Sequence, residues 1–350
     1  MTHIRLTRRL TRRLTRQIPP GFSLEVDFPL APGVTALFGS PAAGKSLILD
    51  SIAGFAEPDA GRILLDDVIL FDAEARVNVP PHRRRCGYIT GRDALFPHLT
   101  LRQNLMFAAA GFARLERHKR VAEMLERFQL TAVVEARPDV LTPNQKLRGA
   151  IARALAAEPN LLLIDERGVD EALLQAIRDA FAGPILLVTA DLDLCYAAAL
   201  ELVMIEAGRI VQRGPARQVI EAPDSVEAAR LLGIPNLFDA EITALDPGRD
   251  NSRLQFEHFP LTGPYVPGHF RGDRVRVAVR AEDLRVHAGE VSPQLNFVAA
   301  DLLRISHRTR SVRLEFSYGI VAEIPRHEYE RQKDNKKWQV EFPPESLRVW

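Results

Sequence analysis

Cysteine is nearly absent: only Cys86 and Cys195 occur in 350 residues, far apart and without metal-ligand spacing. That excludes a disulfide framework and fits a reducing compartment. Charge of one sign is lacking as well. Forty-six Lys and Arg offset 45 Asp and Glu, and a formal net charge of +1 gives no whole-chain field of the kind that holds nucleic acid, so no nucleic-acid partner is expected. No apolar run approaches the roughly 18 residues of a membrane span, and the longest, such as the one around Leu161–Ile164, are strand-sized. The N-terminus has no apolar h-region, so no secretory signal is expected. A role in a membrane process would then require docking onto another subunit. What is present is ordinary globular composition, 46% apolar and 26% charged, on a chain long enough for two domains.

Residues 1–20 form a basic N-terminal segment with a short Leu-Thr-Arg-Arg repeat. Leu6, Leu10 and Leu14 stand four apart and would share one face of a helix, a basic surface that could touch acidic lipid or nucleic acid. The plainer expectation is a frayed or extended terminus with a solvated charge run. From Phe22 onward FSLEVDFPL alternates like a strand, GVTALFG is a short apolar run, and KSLILDSIAGF reads as a helix closed near Gly54. RILLDDVILFD reads as a hairpin, and the chain from about Leu101 to Leu155 reads as largely helical. NLLLIDE, GPILLVTA and ELVMIEAGRIV then return to strand character. Buried strands alternating with helices predict an α/β domain over residues 21–234 with a mostly parallel sheet covered on both faces. A helical subdomain is placed at about 97–150. Beyond about Pro235 the alternating segments RVRVAVRAEDLRV, SVRLEFSYGIVAEIP and KKWQVEFPPESLRVW predict a small β domain over 235–350.

GSPAAGKS matches G-x-x-x-x-G-K-[ST] between a predicted strand and a predicted helix, the context a P-loop requires. Gly39, Ser40, Pro41, Ala42, Ala43 and Gly44 would wrap the backbone closely around phosphates, with successive N–H groups at the helix N-terminus attracting the anion. Lys45 would reach the β- and γ-phosphates, and the Ser46 hydroxyl would ligate Mg²⁺. The apolar strand LLLIDE would deliver Asp165 to the metal and set Glu166 beside it as the base that polarises the attacking water. ATP and Mg²⁺ are the expected ligands.

With these motifs the chain resembles the ATP-binding subunits of ABC transporters, specifically the molybdate-import type. GRILLDDVILFDAEARVNVPPHRRRCGYI followed by LFPHLTLRQNL resembles the family's passage through the Q-loop into its helical subdomain. LTPNQKLRGAIARALAAEPNLLLIDE resembles the signature segment running into Walker B, and VRAEDLRV with the strands after it resembles the C-terminal oxyanion/oligonucleotide-binding β-barrel. The resemblance implies a P-loop ABC nucleotide-binding domain followed by a small C-terminal β-barrel domain. It also implies a head-to-tail homodimer, or a heterodimer with another ABC ATPase, holding two ATP molecules. An integral-membrane permease would be the further partner, with an oxyanion possible at the C-terminal domain, and the chain would be cytoplasmic, peripheral at the inner face of the cell membrane. Around Phe96, Pro97 and His98 the family contacts its permease.

Several positions depart from the family pattern. Gly91 stands where the Q-loop glutamine is expected, and the LSGGQ signature reads Leu141-Thr142-Pro143-Asn144-Gln145. Thr142 keeps the hydroxyl that would face nucleotide, Pro143 removes a backbone N–H, and Asn144 adds bulk. The H-loop histidine is replaced by Ala190. The D-loop is the altered Arg167-Gly168-Val169-Asp170, and for the base-stacking aromatic only Phe22 is at hand, which otherwise reads as core. Loss of one preorganised donor costs ~10²–10³ in rate, about 3–4 kcal/mol, and groups that act as a unit are not additive. Slow ATPase turnover is therefore expected, and a homodimer could not repair it. Three functions follow: an oxyanion-importer ATPase using Glu166, a nucleotide-binding regulatory or structural subunit with little turnover, and an oxyanion sensor acting through the β domain.

Overall fold

A computed structural model describes residues 2–9, 21–90, 95–289, 295–335 and 337–350, and its contacts divide the chain into two compact units, Met1–Glu221 and Ala222–Trp350. The first unit is laid on one sheet. Its strands are β1 (Thr2–Arg9), β2 (Ser23–Leu30), β3 (Gly33–Gly39), β4 (Ala60–Leu65), β5 (Val68–Asp72), β6 (Val77–Asn78), β7 (Cys86–Thr90), β8 (Leu161–Asp165), β9 (Pro184–Val188), β10 (Glu201–Glu206) and β11 (Arg209–Pro215). They run in the order β6-β5-β4-β1-β2-β11-β10-β3-β9-β8-β7.

Strands β10, β3, β9, β8 and β7 are mutually parallel, whereas β6, β5, β4, β1 and β2 are antiparallel. The hairpin β10–β11 joins the two halves, through β3 on one side and β2 on the other.

The parallel strands are apolar throughout because both of their faces are covered. Along β8, Leu161 and Leu163 pack with helix α1 (Lys45–Ala53), while Leu162 and Ile164 pack on the opposite face. That second face is covered by α2 (Leu101–Ala108), α3 (Arg114–Arg127), α4 (Pro143–Ala156) and α5 (Glu171–Ala180). Helices α6 (Leu192–Ala198) and α7 (Ala216–Glu221) complete the unit. The hairpin read at RILLDDVILFD is β4–β5, turning at Asp66-Asp67 with Leu65 paired to Val68.

The N-terminus corrects the expectation of a frayed segment or a basic helix. Thr2–Arg9 is a strand paired on both edges, with β2 and with β4. Alternation overrides the four-residue repeat: Ile4 and Leu6 are fully buried, and Arg5 points outward near Asp27. Leu10 and Leu14 lie outside the described residues.

The second unit begins with α8 (Val226–Leu231), ahead of the boundary near 235 read from the change in texture. It contains β12 (Asn236–Asp246), β13 (Asn251–Phe256), β14 (Phe259–Pro264), β15 (Arg274–Val279), β16 (Arg285–Ala288), β17 (Phe297–Ala300), β18 (Leu302–His307), β19 (Ser311–Phe316), β20 (Val321–Pro325), α9 (Arg326–Gln332), β21 (Trp338–Glu341) and β22 (Arg348–Val349). Three antiparallel sheets, β14-β13-β12-β15-β22, β16-β21-β17 and β18-β19-β20, share one core around Phe238, Phe316, Trp338 and Phe342. Buried Asn236 of β12 ties the first of these sheets to the third. Its amide donates to the carbonyls of Val279 (3.1 Å) and Val321 (2.8 Å) and accepts from the Val321 N–H (2.7 Å).

Because β1 is internal to the sheet, Leu6→Ala is expected to destabilise the chain by about 2–5 kcal/mol. Urea denaturation against wild type measures it; a solvated terminus would show no shift.

Candidate functional site

All four strands β10, β3, β9 and β8 point their C-terminal ends the same way, and the P-loop leaves β3 at that edge. Strand β10 crowds the loop's first residue: a Cβ on Gly39 would lie 1.9 Å from the Ile205 carbonyl oxygen, so only glycine fits. The loop then turns through left-handed backbone at Ala42 (φ 66°) and Gly44 (φ 102°) before α1 begins. At Ala42 that conformation costs roughly 1–2 kcal/mol, strain of the sort that collects at ligand-binding loops. The Gly208 N–H supports the turn by donating to the Ala43 carbonyl at 3.1 Å.

Lys45 and Ser46 occupy the first turn of α1, where N–H groups and the helix dipole favour an anion. The Lys45 ammonium folds over the loop, donating to the carbonyls of Gly39 (2.9 Å) and Ser40 (2.7 Å). Burial lowers its pKa from the ordinary lysine value, and the carboxylates of Asp165 and Glu206 oppose that shift. Asp165 ends β8 and Glu166 follows it, both half-buried. Tyr88 on β7 donates its hydroxyl to Asp50 of α1 at 2.9 Å.

The structure therefore brings Gly39–Ser46 and Asp165–Glu166 to one edge of the sheet. It places Thr142 elsewhere, as the N-cap of α4: its hydroxyl accepts from the Gln145 N–H at 3.3 Å, and the Gln145 side chain accepts from the Thr142 N–H at 2.9 Å. Pro143 sits at the first helical position, where an absent N–H costs the helix nothing. Asn144 accepts from Arg148 at 2.7 Å. The altered signature is thus a sound helix start. It has fewer outward donors than the family pattern, because proline offers none and the capping box uses the next but one.

Among the other departures, Gly91 lies outside the described residues; β7 ends one residue before it, at Thr90, opposite Asp165. Ala190 is exposed between Thr189, whose N–H donates to the Leu37 carbonyl of β3 (3.2 Å), and Asp191, which caps α6. Asp170 likewise caps α5 by accepting from the Leu173 N–H at 2.7 Å. Phe22 is core: its ring would lie 3.0 Å from a Cβ on Gly44 and is buried beneath the loop. Both cysteines are free, and burial pushes each thiol up to about 12, leaving neither as a thiolate nucleophile near neutral pH.

Glu206 was not legible as a site residue. It ends an apolar strand like many others, and only the pairing of β10 with β3 brings it near Lys45. One of its carboxylate oxygens is buried without a hydrogen-bond partner among the described residues.

The ABC transporter family profile matches residues 25–167. Over 305 residues the chain is 34% identical to the molybdenum import ATP-binding protein ModC of Rhodospirillum rubrum, across 81% of this chain and 79% of that protein. It is also 34% identical to the molybdate/tungstate import ATP-binding protein WtpC of Archaeoglobus fulgidus, across 62% of this chain and 91% of that one. Among solved structures, an ATP-binding subunit of an ABC transporter superposes with a TM-score of 0.51 at 25% identity, covering 62% of this chain and 90% of that chain.

Gly39→Ala is expected to weaken nucleotide binding about tenfold or more, at least ~1.4 kcal/mol. Calorimetric titration with ATP checks it, and unchanged affinity would contradict the close approach of β10.

Proposed function

The chain belongs to the ABC transporter family as an ATP-binding subunit, and on that premise we propose that it binds Mg·ATP at Gly39–Ser46 to serve an importer of molybdate or a related oxyanion such as tungstate. The observation that carries the nucleotide part is Lys45, a half-buried cation at a helix N-terminus, with the Asp165 carboxylate near enough to influence its charge. The substrate class rests on the relatives, one named for molybdenum import and one for molybdate/tungstate import.

In this reading the backbone N–H groups of Ser40, Ala42, Ala43 and Gly44 and the Lys45 ammonium hold the phosphates. Lys45 exchanges its contacts with the Gly39 and Ser40 carbonyls for phosphate oxygens. Ser46 and Asp165 fit Mg²⁺ as hard oxygen donors. Bound Mg²⁺ would neutralise phosphate charge. Glu166, next in the chain, would orient and deprotonate the attacking water.

The permease is the proposed membrane partner, placing the chain at the cytoplasmic face of the cell membrane. No helix among the described residues is long and apolar enough to cross one. The docking surface proposed is the loop at Phe96–His98. Buried Asn104 pins that loop, accepting from the Phe96 N–H (2.7 Å) and donating to the carbonyls of Phe96, Leu99 and Thr100. Phe96 packs edge-on against Phe107 at 5.0 Å, and Phe107 is 61% exposed.

A second reading, a nucleotide-binding subunit with little turnover, is favoured by the start of α4. Head-to-tail pairing with a second ABC subunit would present Thr142 to the partner's nucleotide. There Pro143 supplies no amide, and Thr142 already serves as the cap. Ala190 supplies no imidazole.

Steady-state phosphate release separates the two readings. The importer ATPase predicts turnover that Glu166→Gln lowers by at least about 10²-fold while ATP still binds. Binding without turnover in wild type would establish the second reading.

A further inference from the structure

The bulkiest fully buried side chain among the described residues is an arginine: Arg84 is 2% exposed. Its guanidinium makes four hydrogen bonds, all to neutral oxygens. Nε donates to the Val79 carbonyl (2.6 Å), Nη1 to the carbonyls of Ser51 and Ile52 (2.8 Å each), and Nη2 to Asn78 Oδ1 (2.8 Å). Among the described residues no carboxylate pairs with it. A buried cation with no counter-ion is costly unless something negative faces it. Here that is the C-terminal end of α1, whose last carbonyls lack helical partners and carry the negative pole of the helix dipole.

Helix α1 is nine residues long, Lys45–Ala53, or about 13 Å at 1.5 Å per residue. Its first turn carries Lys45 and Ser46, and its last turn carries Ser51 and Ile52. A rod this short transmits any tilt at one end to the other. Arg84 also has a fixed place along the chain: it stands two residues before β7, whose last residue, Thr90, is paired with Asp165. One side chain thus ties the far end of the phosphate-binding helix to the strand bordering the metal-side carboxylate. Tyr88, on the same strand, adds its bond to Asp50 of α1.

We propose that Arg84 is a positioning residue for the nucleotide site: by clamping the C-terminal turn of α1 to the segment entering β7, it sets Lys45 and Ser46 at their working distance from Asp165. The proposal rests on the P-loop reading and adds to it a requirement far from the phosphates. Lysine replaces the residue only in part, since a single ammonium lacks the planar fork that reaches Val79, Ser51, Ile52 and Asn78 together.

The test uses the full-length chain and ATP, titrated calorimetrically with Mg²⁺ and with EDTA, for wild type, Arg84→Lys, Arg84→Gln and Asn78→Ala, with thermal unfolding alongside. Arg84→Gln is expected to weaken Mg·ATP binding about tenfold, Arg84→Lys by less, and Asn78→Ala about two- to threefold. In each the affinity gained on adding Mg²⁺ should shrink, because Ser46 and Asp165 are no longer held in register. A residue that only stabilises the fold would lower the melting temperature and leave both the affinity of the folded protein and its Mg²⁺ increment unchanged, and that result overturns the proposal. If the Arg84 variants do not fold, exposed Asn78 decides: a smaller Mg²⁺ increment in Asn78→Ala supports the clamp, and an unchanged one refutes it. Failure of the P-loop reading looks different, since wild type itself would then bind no ATP and Lys45→Ala would change nothing.

Discussion

The rest of the first unit depends on the close approach of β10 to β3. At Gly39 the Ile205 carbonyl leaves no room for a side chain, so the phosphate loop is pressed against a neighbouring strand from its first residue. That contact fixes where the loop leaves the sheet, and it brings Glu206 into the charge environment of Lys45. The hairpin β10–β11 also spans the seam between the parallel and antiparallel halves. The same segment therefore sets the floor of the proposed nucleotide site and holds the sheet together.

Much of the candidate site is readable without coordinates because its proposed chemistry is local. Gly39–Ser46 needs only a strand before it and a helix after it, and Asp165–Glu166 needs only an apolar run that ends in acids. Residues whose role depends on distant pairing escape such a reading. Arg84 looks like one of three consecutive arginines until the end of α1 is seen to close over it. Glu206 is similarly silent. The N-terminal strand is misread for another reason: a four-residue leucine spacing suits a helix, yet every second residue also suits a strand, and two waiting edges, β2 and β4, decide between them. The start of the second unit is displaced because α8 carries no change in texture to mark it.

Architecture survives where the family's nucleotide-facing positions are altered. Substitutions in the signature leave the helix start in good order, with proline where proline is welcome and a reciprocal cap behind it. Ala190 leaves the turn into α6 intact, since Asp191 still caps that helix. Each change preserves local structure while altering what the backbone or side chain can offer a phosphate. The fold itself therefore carries little information about rate.

The sheet's seam has a consequence for how the protein is made. Residues 33–39 leave the ribosome long before residues 201–215, so the strand carrying the phosphate loop waits for a partner encoded some 165 residues later. Until that hairpin arrives, β2 and β3 each expose an unpaired edge, the kind of surface on which nascent chains associate wrongly. Long-range closure of this sort is slow. Nucleotide competence is consequently a late event in synthesis, although the proposed phosphate loop is among the first segments to be translated.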